Sequence, residues 1–232
     1  MRLKDVKKEL SFYSNISKAK ILRKFFKTSK GEYGEGDIFL GLTVPQTRKI
    51  AKKFIALDLF ELKKLLYSRI HEERLCALLI LVEKYNIGDE RVRKEIFNFY
   101  IKNAERVNNW DLVDLSSPKI VGRYLLNRNK KILHDFSKTD SLWKRRIAMV
   151  STHTFIRSEK YKDVFKIAKT LIKDEHDLVQ KAVGWMLREV GKRSLRNEEI
   201  FLKKFYKKMP RTMLRYAIEK FPETKRLKYL KK

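Results

Sequence analysis

The feature that most constrains the fold of this chain is a weak internal repeat of about 35 residues. Arg74 precedes Ala77 by three residues, just as Arg145 precedes Ala148, and similar small or apolar anchors recur along the chain. The anchors of the five repeats are Ala77, Leu112, Ala148, Ala182 and Ala217. Their steps of 35, 36, 34 and 35 residues fit arrays of helix pairs, in which the second helix of each pair carries the anchor. Stacked pairs of this kind form a curved solenoid with an extended concave surface.

Helical periodicity extends over nearly the whole chain. Apolar residues recur at three- and four-residue spacing, as in Leu59, Leu62 and Leu66, which is the period of an amphipathic helix. No stretch alternates apolar and polar residues between turn pairs, so no strand is expected. Helix breaks are predicted at residues 28–45, 88–89, 116–118, 127–129, 174–175, 191 and 210. We therefore predict an all-α, HEAT-like solenoid with a concave basic face, a single domain over residues 1–232 whose clearest repeats run from about 58 to 220.

The charge of the chain points to a polyanionic partner. Lys and Arg number 56 against 28 Asp and Glu, which gives a formal net charge of +28 and a pI of about 10.1. The basic residues are spread among apolar residues instead of forming a tail, so the charge belongs to a folded surface. Nucleic acid is therefore preferred to a membrane as the partner.

Several other classes of protein are disfavoured. The longest apolar run, Leu75 to Val82, is far shorter than a membrane span, and the N-terminal residues lack the apolar core of a signal peptide, so a cytoplasmic protein is expected. The lone Cys76 fits a buried apolar position better than a nucleophile. The four His lack the paired spacing of a metal site and are interpreted as surface or helix-end residues. We expect no metal and no cofactor, and an end-capped solenoid is expected to be a monomer.

Two residues around the second anchor are candidates for chemistry. Trp110 and Asp114 are four residues apart, one helical turn on the same side. An aromatic plane and a carboxylate would then face one groove, where Arg146 and Arg215 occupy similar places before their own anchors. The structural alternatives stay open, because a Trp at helical spacing is usually core and Asp114 is equally compatible with an ion-paired residue. Asp111 fits a role at the helix N-terminus.

A second group of candidates surrounds the fourth anchor. Trp185 follows Ala182 by three residues, whereas Trp110 and Arg146 precede their anchors by two, so Trp185 does not share their helix face. This favours a core position for Trp185. Gly184 indicates a close backbone approach, either to a helix or to a ligand. Arg188 and Lys192 continue one helical face and could contact phosphates, although a solvated basic face explains them equally well.

Three segments together resemble the bacterial AlkD-like alkylpurine DNA glycosylases. They are residues 109–114 (NWDLVD), 143–146 (WKRR) and 181–189 (KAVGWMLRE), in that order and spacing. The early segment 31–37 (GEYGEGD), followed by 39–41 (FLG) and Pro45, is common in sequences of DNA alkylation repair proteins. The resemblance covers most of the chain, but the Gly31–Asp37 loop is longer than in typical members, so its role is not transferred.

The resemblance implies a function and a site. It places the catalytic aspartate at Asp114, the lesion-facing tryptophans at Trp110 and Trp185, and the cleft arginine at Arg146. It also implies that Arg188 and Lys192 contact DNA, and we expect Arg145, next to the cleft arginine, to contact DNA as well. The implied reaction is hydrolysis of the N-glycosidic bond of cationic alkylated purines, of the 3-methyladenine and 7-methylguanine type, in duplex DNA without base flipping.

Two other functions remain compatible with the sequence. A non-catalytic HEAT-repeat protein would bind duplexes with strong salt dependence but release no base. A scaffold would use its groove for an acidic protein or a structured RNA, and would bind DNA weakly at physiological salt.

Overall fold

The computed structural model describes residues 2–231, and these are predominantly helical. Within that range there is no strand, only an isolated bridge between Ile38 and Ile70, so the prediction of an all-α chain is confirmed. The described residues form two compact units, the first ending at Ser116 and the second beginning at Ser117. That the whole chain works as a single domain stays a prediction.

The first unit is built around one long buried helix. Its helices are α1 Leu3–Phe12, α2 Ile16–Phe25, α3 Val44–Lys53, α4 Leu59–Leu66, α5 His71–Ile87, α6 Glu90–Lys102 and α7 Trp110–Ser117, with a 3-10 turn at Ala104–Arg106. Helix α5 is buried along almost its whole length and packs against α3, α4 and α6. This burial accounts for the long apolar run in the sequence.

The second unit contains nine α-helices in residues 117–231. They are α8 Arg123–Leu125, α9 Lys131–Phe136, α10 Leu142–Ser151, α11 His153–Arg157, α12 Lys162–Thr170, α13 Asp177–Gly191, α14 Leu195–Phe205, α15 Arg211–Ala217 and α16 Glu223–Leu230. Helix α13 is the central element, in contact with α10, α14 and α15.

The five repeat anchors lie where the repeat predicts. They fall in five different helices, α5, α7, α10, α13 and α15, and each is at most 1% exposed. Four of the five anchors are alanines, whose small side chains let neighbouring helices approach closely. The repeat in the sequence is therefore a repeat of packing positions.

Arg74 and Arg145 have the same structural role in their two repeats. Arg74 Nη1 donates to the carbonyl oxygen of Ser68 at 3.0 Å, and Arg145 Nη1 donates to that of Thr139 at 3.1 Å, in each case six residues earlier. Each guanidinium also binds a carboxylate of its own unit. These arginines tie the start of a helix to the turn before it, because they satisfy carbonyls that the turn leaves unpaired.

Gly184 lies at the tightest contact of α13. A Cβ added to it would lie 2.4 Å from the carbonyl oxygen of Met213 and 2.5 Å from Cβ of Tyr216. Only a glycine permits this approach of α13 to α15. The close contact predicted at this position is therefore made to a neighbouring helix.

One predicted helix break is wrong. Residues 116–118 do not interrupt the helical conformation, since a π-helical segment, Pro118–Gly122, follows α7 directly. Pro118 is the first residue of this segment, where its missing N–H is tolerated. The other predicted breaks coincide with helix ends within a few residues.

Among residues 2–231, no helix combines the length and the apolarity needed to cross a membrane.

Candidate functional site

Helix α7 carries the two leading candidates, Trp110 and Asp114. Asn109, which is fully buried, precedes the helix, and its side-chain oxygen accepts from the backbone N–H of Trp110 at 2.8 Å. The helix begins at Trp110, and Asp114 follows one turn later, so the two side chains leave the same side of α7. Both are half-buried.

Trp110 is held in a stack of aromatic rings. Its ring lies on that of Phe26, with centroids 5.1 Å apart and planes inclined by 15°, and the edge contact with Phe25 has a centroid distance of 5.7 Å. Phe26 in turn stacks on Phe39 at 5.1 Å. Phe25 is 61% exposed, so this end of the stack reaches solvent. The indole is therefore fixed in orientation without being fully buried.

Asp114 lies beyond the first turn of α7, and its charge affects the pKa of the buried Tyr100. Burial raises the pKa of the Tyr100 hydroxyl above its ordinary value. The hydrogen bond with Ser116 lowers this pKa, whereas the negative charge of Asp114 raises it further. The Tyr100 hydroxyl and Ser116 Oγ are 2.9 Å apart. A carboxylate here has no capping role, because it is too far along the helix to reach the free N–H groups.

Asp111 and His71 form a buried pair at the base of the stack. His71 Nε2 lies 2.8 Å from Asp111 Oδ2, and Nδ1 lies 3.5 Å from Asp37 Oδ2. Burial alone would lower the pKa of His71, but the charge and hydrogen bond of Asp111, with those of Asp37, raise it to about 9. Arg74 Nη2 binds the same oxygen of Asp37 at 2.6 Å. The interpretation of the histidines holds in part, since His71 begins α5 but is only 2% exposed.

Trp185 is half-buried in the second unit. Its Nε1–H donates to Glu189 Oε1 at 3.2 Å, one helical turn later on α13, and its ring lies 6.1 Å from that of His153. Burial lowers the pKa of His153 below its ordinary value. The indole of Trp185 thus has a polar partner and a second ring to orient it.

The adjacent arginines of α10 are both engaged within the second unit. Arg145 Nε donates to Asp174 Oδ2 at 2.7 Å in addition to its bond with the preceding turn. Arg146 is 5% exposed, and its guanidinium donates to the carbonyl oxygen of Leu178. Arg145 is therefore a structural residue of the repeat, and a contact of either residue with DNA stays a prediction.

Arg188 lies in α13, and Lys192 follows it by four residues, directly after the last residue of that helix; both pair with Glu189. Lys192 is exposed and pairs with Glu189 at 2.7 Å, while Arg188 is half-buried and pairs with Glu219 and Glu189. The carboxylates neutralise part of the positive charge at this end of the helix. A phosphate bound here would compete with them for the two cations.

The charge is unequal between the two units. Residues 1–116 contain 24 Lys and Arg against 16 Asp and Glu, and residues 117–232 contain 32 against 12. The second unit therefore carries most of the net positive charge. Residues 2–231 contain no group of three or more His, Cys, Asp or Glu side chains placed to hold a metal ion.

The comparisons with known proteins identify the family. The family model described as DNA alkylation repair enzyme matches residues 6–221, nearly the whole chain. The chain belongs to this family. A comparison with curated proteins found no match.

Two solved structures share the fold of this DNA alkylation repair family member. A structure described as a predicted DNA alkylation repair enzyme from Enterococcus faecalis has a TM-score of 0.70 and 16% identity, and the match covers 90% of this chain and 97% of that chain. The crystal structure of AlkD2 from Streptococcus mutans has a TM-score of 0.58 and 18% identity, with 88% and 97% covered. At these identities the likeness concerns the fold.

Sequence reasoning missed the partners that fix the candidate residues of this family member. Phe26 and Phe39 hold Trp110, and Asp37 and His71 connect the glycine-rich loop to α7. These residues are far apart in the sequence, so no local period joins them. The signal for Glu189 was available, because it follows Trp185 by the four residues that place side chains on one helix face.

Proposed function

We propose that this protein is a monofunctional DNA glycosylase that removes cationic alkylated purines, of the 3-methyladenine and 7-methylguanine type, from duplex DNA. The observation that carries the proposal is the placement of Trp110 and Asp114 one turn apart on α7, in a chain of the DNA alkylation repair family. The excess of basic residues supports DNA as the partner.

The chemistry requires charge stabilisation more than acid catalysis. A purine alkylated at N3 or N7 is positively charged, so the bond between its N9 and C1′ breaks with both electrons passing to the base. The base leaves uncharged and the sugar becomes oxocarbenium-like. Water then adds its oxygen to C1′ and releases a proton. The sequence offers no nucleophile arrangement of the Ser or Cys type.

Asp114 is the proposed catalytic residue. As a carboxylate it stabilises the positive charge that develops at the sugar and orients the water that attacks C1′. The π-face of Trp110 favours the cationic base over the neutral product. Recognition of the base while it is still stacked in the duplex, without flipping, is part of the proposal.

The second unit contributes the proposed DNA contacts. Trp185 is proposed to face an alkylated base through its π-face, as the family resemblance implies. Lys192, which is exposed, and Arg188 are the proposed phosphate contacts, reached by displacing their acidic partners. Contact of Arg146 with a phosphate is also part of the proposal, although this side chain is 5% exposed and donates to the carbonyl oxygen of Leu178.

Substitution of Asp114 tests the assignment. Asp114→Asn keeps the size of the side chain and removes its charge, so base release from methylated duplex should be abolished, a loss of at least about 10²-fold. Duplex affinity should stay nearly unchanged. Base release is followed on gels through abasic sites revealed by heat or alkali.

The matched control is Asp135→Asn, which removes an Asp charge from α9 that is 49% exposed and paired with Lys131. It should release base at the wild-type rate. Unchanged release by Asp114→Asn contradicts the catalytic assignment. Wild-type protein that binds duplex but releases no base contradicts the enzymatic function and favours a non-catalytic DNA-binding protein.

A further inference from the structure

We propose that His71 is a positioning residue of this site, whose buried ring bridges Asp37 and Asp111 and thereby fixes the face of α7 that carries Trp110 and Asp114. The inference deepens the proposed function and rests on it. It also gives the glycine-rich loop, residues 31–37, a role, since Asp37 is its last residue.

The geometry favours a doubly protonated ring. The Nε2 contact with Asp111 is a hydrogen bond, and the Nδ1 contact with Asp37 is a longer ion-pair contact. One ring nitrogen of His71 lies 2.8 Å from an oxygen of Asp111, and the other lies 3.5 Å from an oxygen of Asp37. Neutral imidazole carries a proton on only one nitrogen, whereas imidazolium presents a donor to both carboxylates. With Arg74 on Asp37 at 2.6 Å, two cations balance two anions inside the unit.

The bridge reaches both residues that flank Trp110. Asp111, which binds His71 through Oδ2, accepts from the backbone N–H of Leu112 through Oδ1 at 2.8 Å. On the other side, Asn109 Nδ2 lies 3.5 Å from Asp37 Oδ2, and its Oδ1 accepts from Trp110 N. The first turn of α7 is therefore attached to the charge cluster at two points.

The same histidine supports the aromatic stack. Its ring lies 4.6 Å from that of Phe39 at 20° and 5.0 Å from that of Phe26 at 38°. Phe26 is the ring on which Trp110 stacks. An imidazolium against aromatic faces is a favourable cation–π arrangement. His71 thus acts on Trp110 both through the helix backbone and through the rings beneath it.

A cluster of this kind is poorly explained by stability alone. Burying two carboxylates and two cations costs desolvation energy, and apolar residues of similar size often stabilise a core as well or better. What a charged bridge supplies is a defined geometry, because Arg74, His71 and Asn109 all lie against one oxygen of Asp37, and His71 also binds Asp111. That geometry is imposed here on the helix that carries Asp114.

The test compares two histidine variants. His71→Gln removes the bridge, and the control His134→Gln removes a pair of the same kind, since His134 Nε2 lies 2.8 Å from Asp163 Oδ1 in the second unit. Single-turnover base release and duplex Kd are measured on protein that melts cooperatively. We expect His71→Gln to slow release about 10- to 100-fold with Kd within about twofold, and His134→Gln to change neither.

A second measurement does not depend on activity. In the full chain labelled at histidine, NMR should show one imidazole that stays protonated until the pH rises to about 9. This signal should be missing in His71→Gln and should titrate at lower pH in Asp111→Asn. If the wild type releases no base, the proposed function fails, and the titration still decides whether the charged bridge exists.

Three results overturn the proposal. The first is a neutral His71 near pH 7, and the second is base release by His71→Gln at the wild-type rate. The third is an equal loss of release, DNA binding and folded fraction, which would mark a purely structural residue. If His71→Gln does not fold, Asp111→Asn replaces it in the rate measurement and should show the same selective loss of rate.

Discussion

At the scale of single residues, Glu198 and His71 make the free energy of unfolding depend on pH. Both bind their proton more tightly in the folded chain than in the unfolded chain, so both contributions to stability decrease as the pH rises. The causes differ. Glu198 is held uncharged by its surroundings, whereas His71 is held charged by its carboxylate neighbours.

Replacement of Glu198 by Gln should stabilise the protein. Glu198 is 2% exposed, and its Oε1 has no hydrogen-bond partner within residues 2–231. Burial and the neighbouring charge of Glu199 raise the pKa of Glu198 to about 8, although the positive charges of Lys225 and Arg188 act to lower it. At a pH above 4.5, the ordinary pKa of a glutamate, the folded state must either keep the proton on Glu198 or bury its charge. Glu198→Gln should therefore increase the free energy of unfolding by about 1–3 kcal/mol near pH 7.

Denaturant unfolding between pH 4 and 8 measures this effect. The gain should be small near pH 4 and grow as the pH rises, and the exposed Glu175→Gln should show no such trend. A loss of stability at pH 7 would show that the Glu198 carboxylate is satisfied in its charged form.

Replacement of His71 by Gln should have the opposite effect and destabilise the folded protein at neutral pH. The pKa of His71 is raised from 6.5 to about 9, so its contribution is fully present below 6.5 and is lost as the pH rises through about 9. The shift corresponds to a contribution on the order of 3 kcal/mol. Melting curves should show that the wild type and His71→Gln converge above pH 9, and a constant difference between them would contradict the charged bridge.

At the scale of helices, the sequence was most informative where the constraint is local. The spacing of apolar residues predicted the helices and the anchors, and Gly184 predicted a close approach. The break predicted at Pro118 is wrong because the chain changes there to a π-helical turn, whose wider spacing accommodates both the missing N–H and the ring of the proline. The charge cluster brings together residues that are at least 34 positions apart in the sequence, namely Asp37, His71 and Asp111. Helical spacing relates only residues three or four positions apart, so it could not predict this contact.

Substitution of Gly184 tests the contact between α13 and α15. In Gly184→Ala the added methyl group would lie 2.4 Å from a backbone carbonyl oxygen, so the helices must separate. Such overpacking should cost about 1–3 kcal/mol, measured by denaturant unfolding. The helical circular dichroism signal should be retained. An unchanged midpoint would show that the two helices are further apart in solution.

At the scale of the whole molecule, the net charge of +28 predicts that binding to a polyanion weakens as the salt concentration rises. If the partner is duplex DNA, each neutralised phosphate adds about 0.9 to the slope of log K against log salt concentration. Lys192→Ala should reduce that slope by about 1. Lys131→Ala is the matched control, since this exposed lysine also pairs with a carboxylate about one helical turn away. An equal reduction in both variants would contradict a specific contact at Lys192.

The fold and the family could be inferred from the sequence, because the repeat and three ordered motifs cover most of the chain. The contacts that fix the candidate site could not, since they depend on long-range packing such as Phe26 beneath Trp110.

The most direct measurement is chromatographic detection of free base after incubation of the full chain with duplex DNA methylated at purine nitrogens. The proposed glycosylase predicts that 3-methyladenine or 7-methylguanine appears in solution, with an equal amount of abasic sites and no strand cleavage before heat or alkali. Tight, salt-dependent binding to the same duplex without any released base would contradict it.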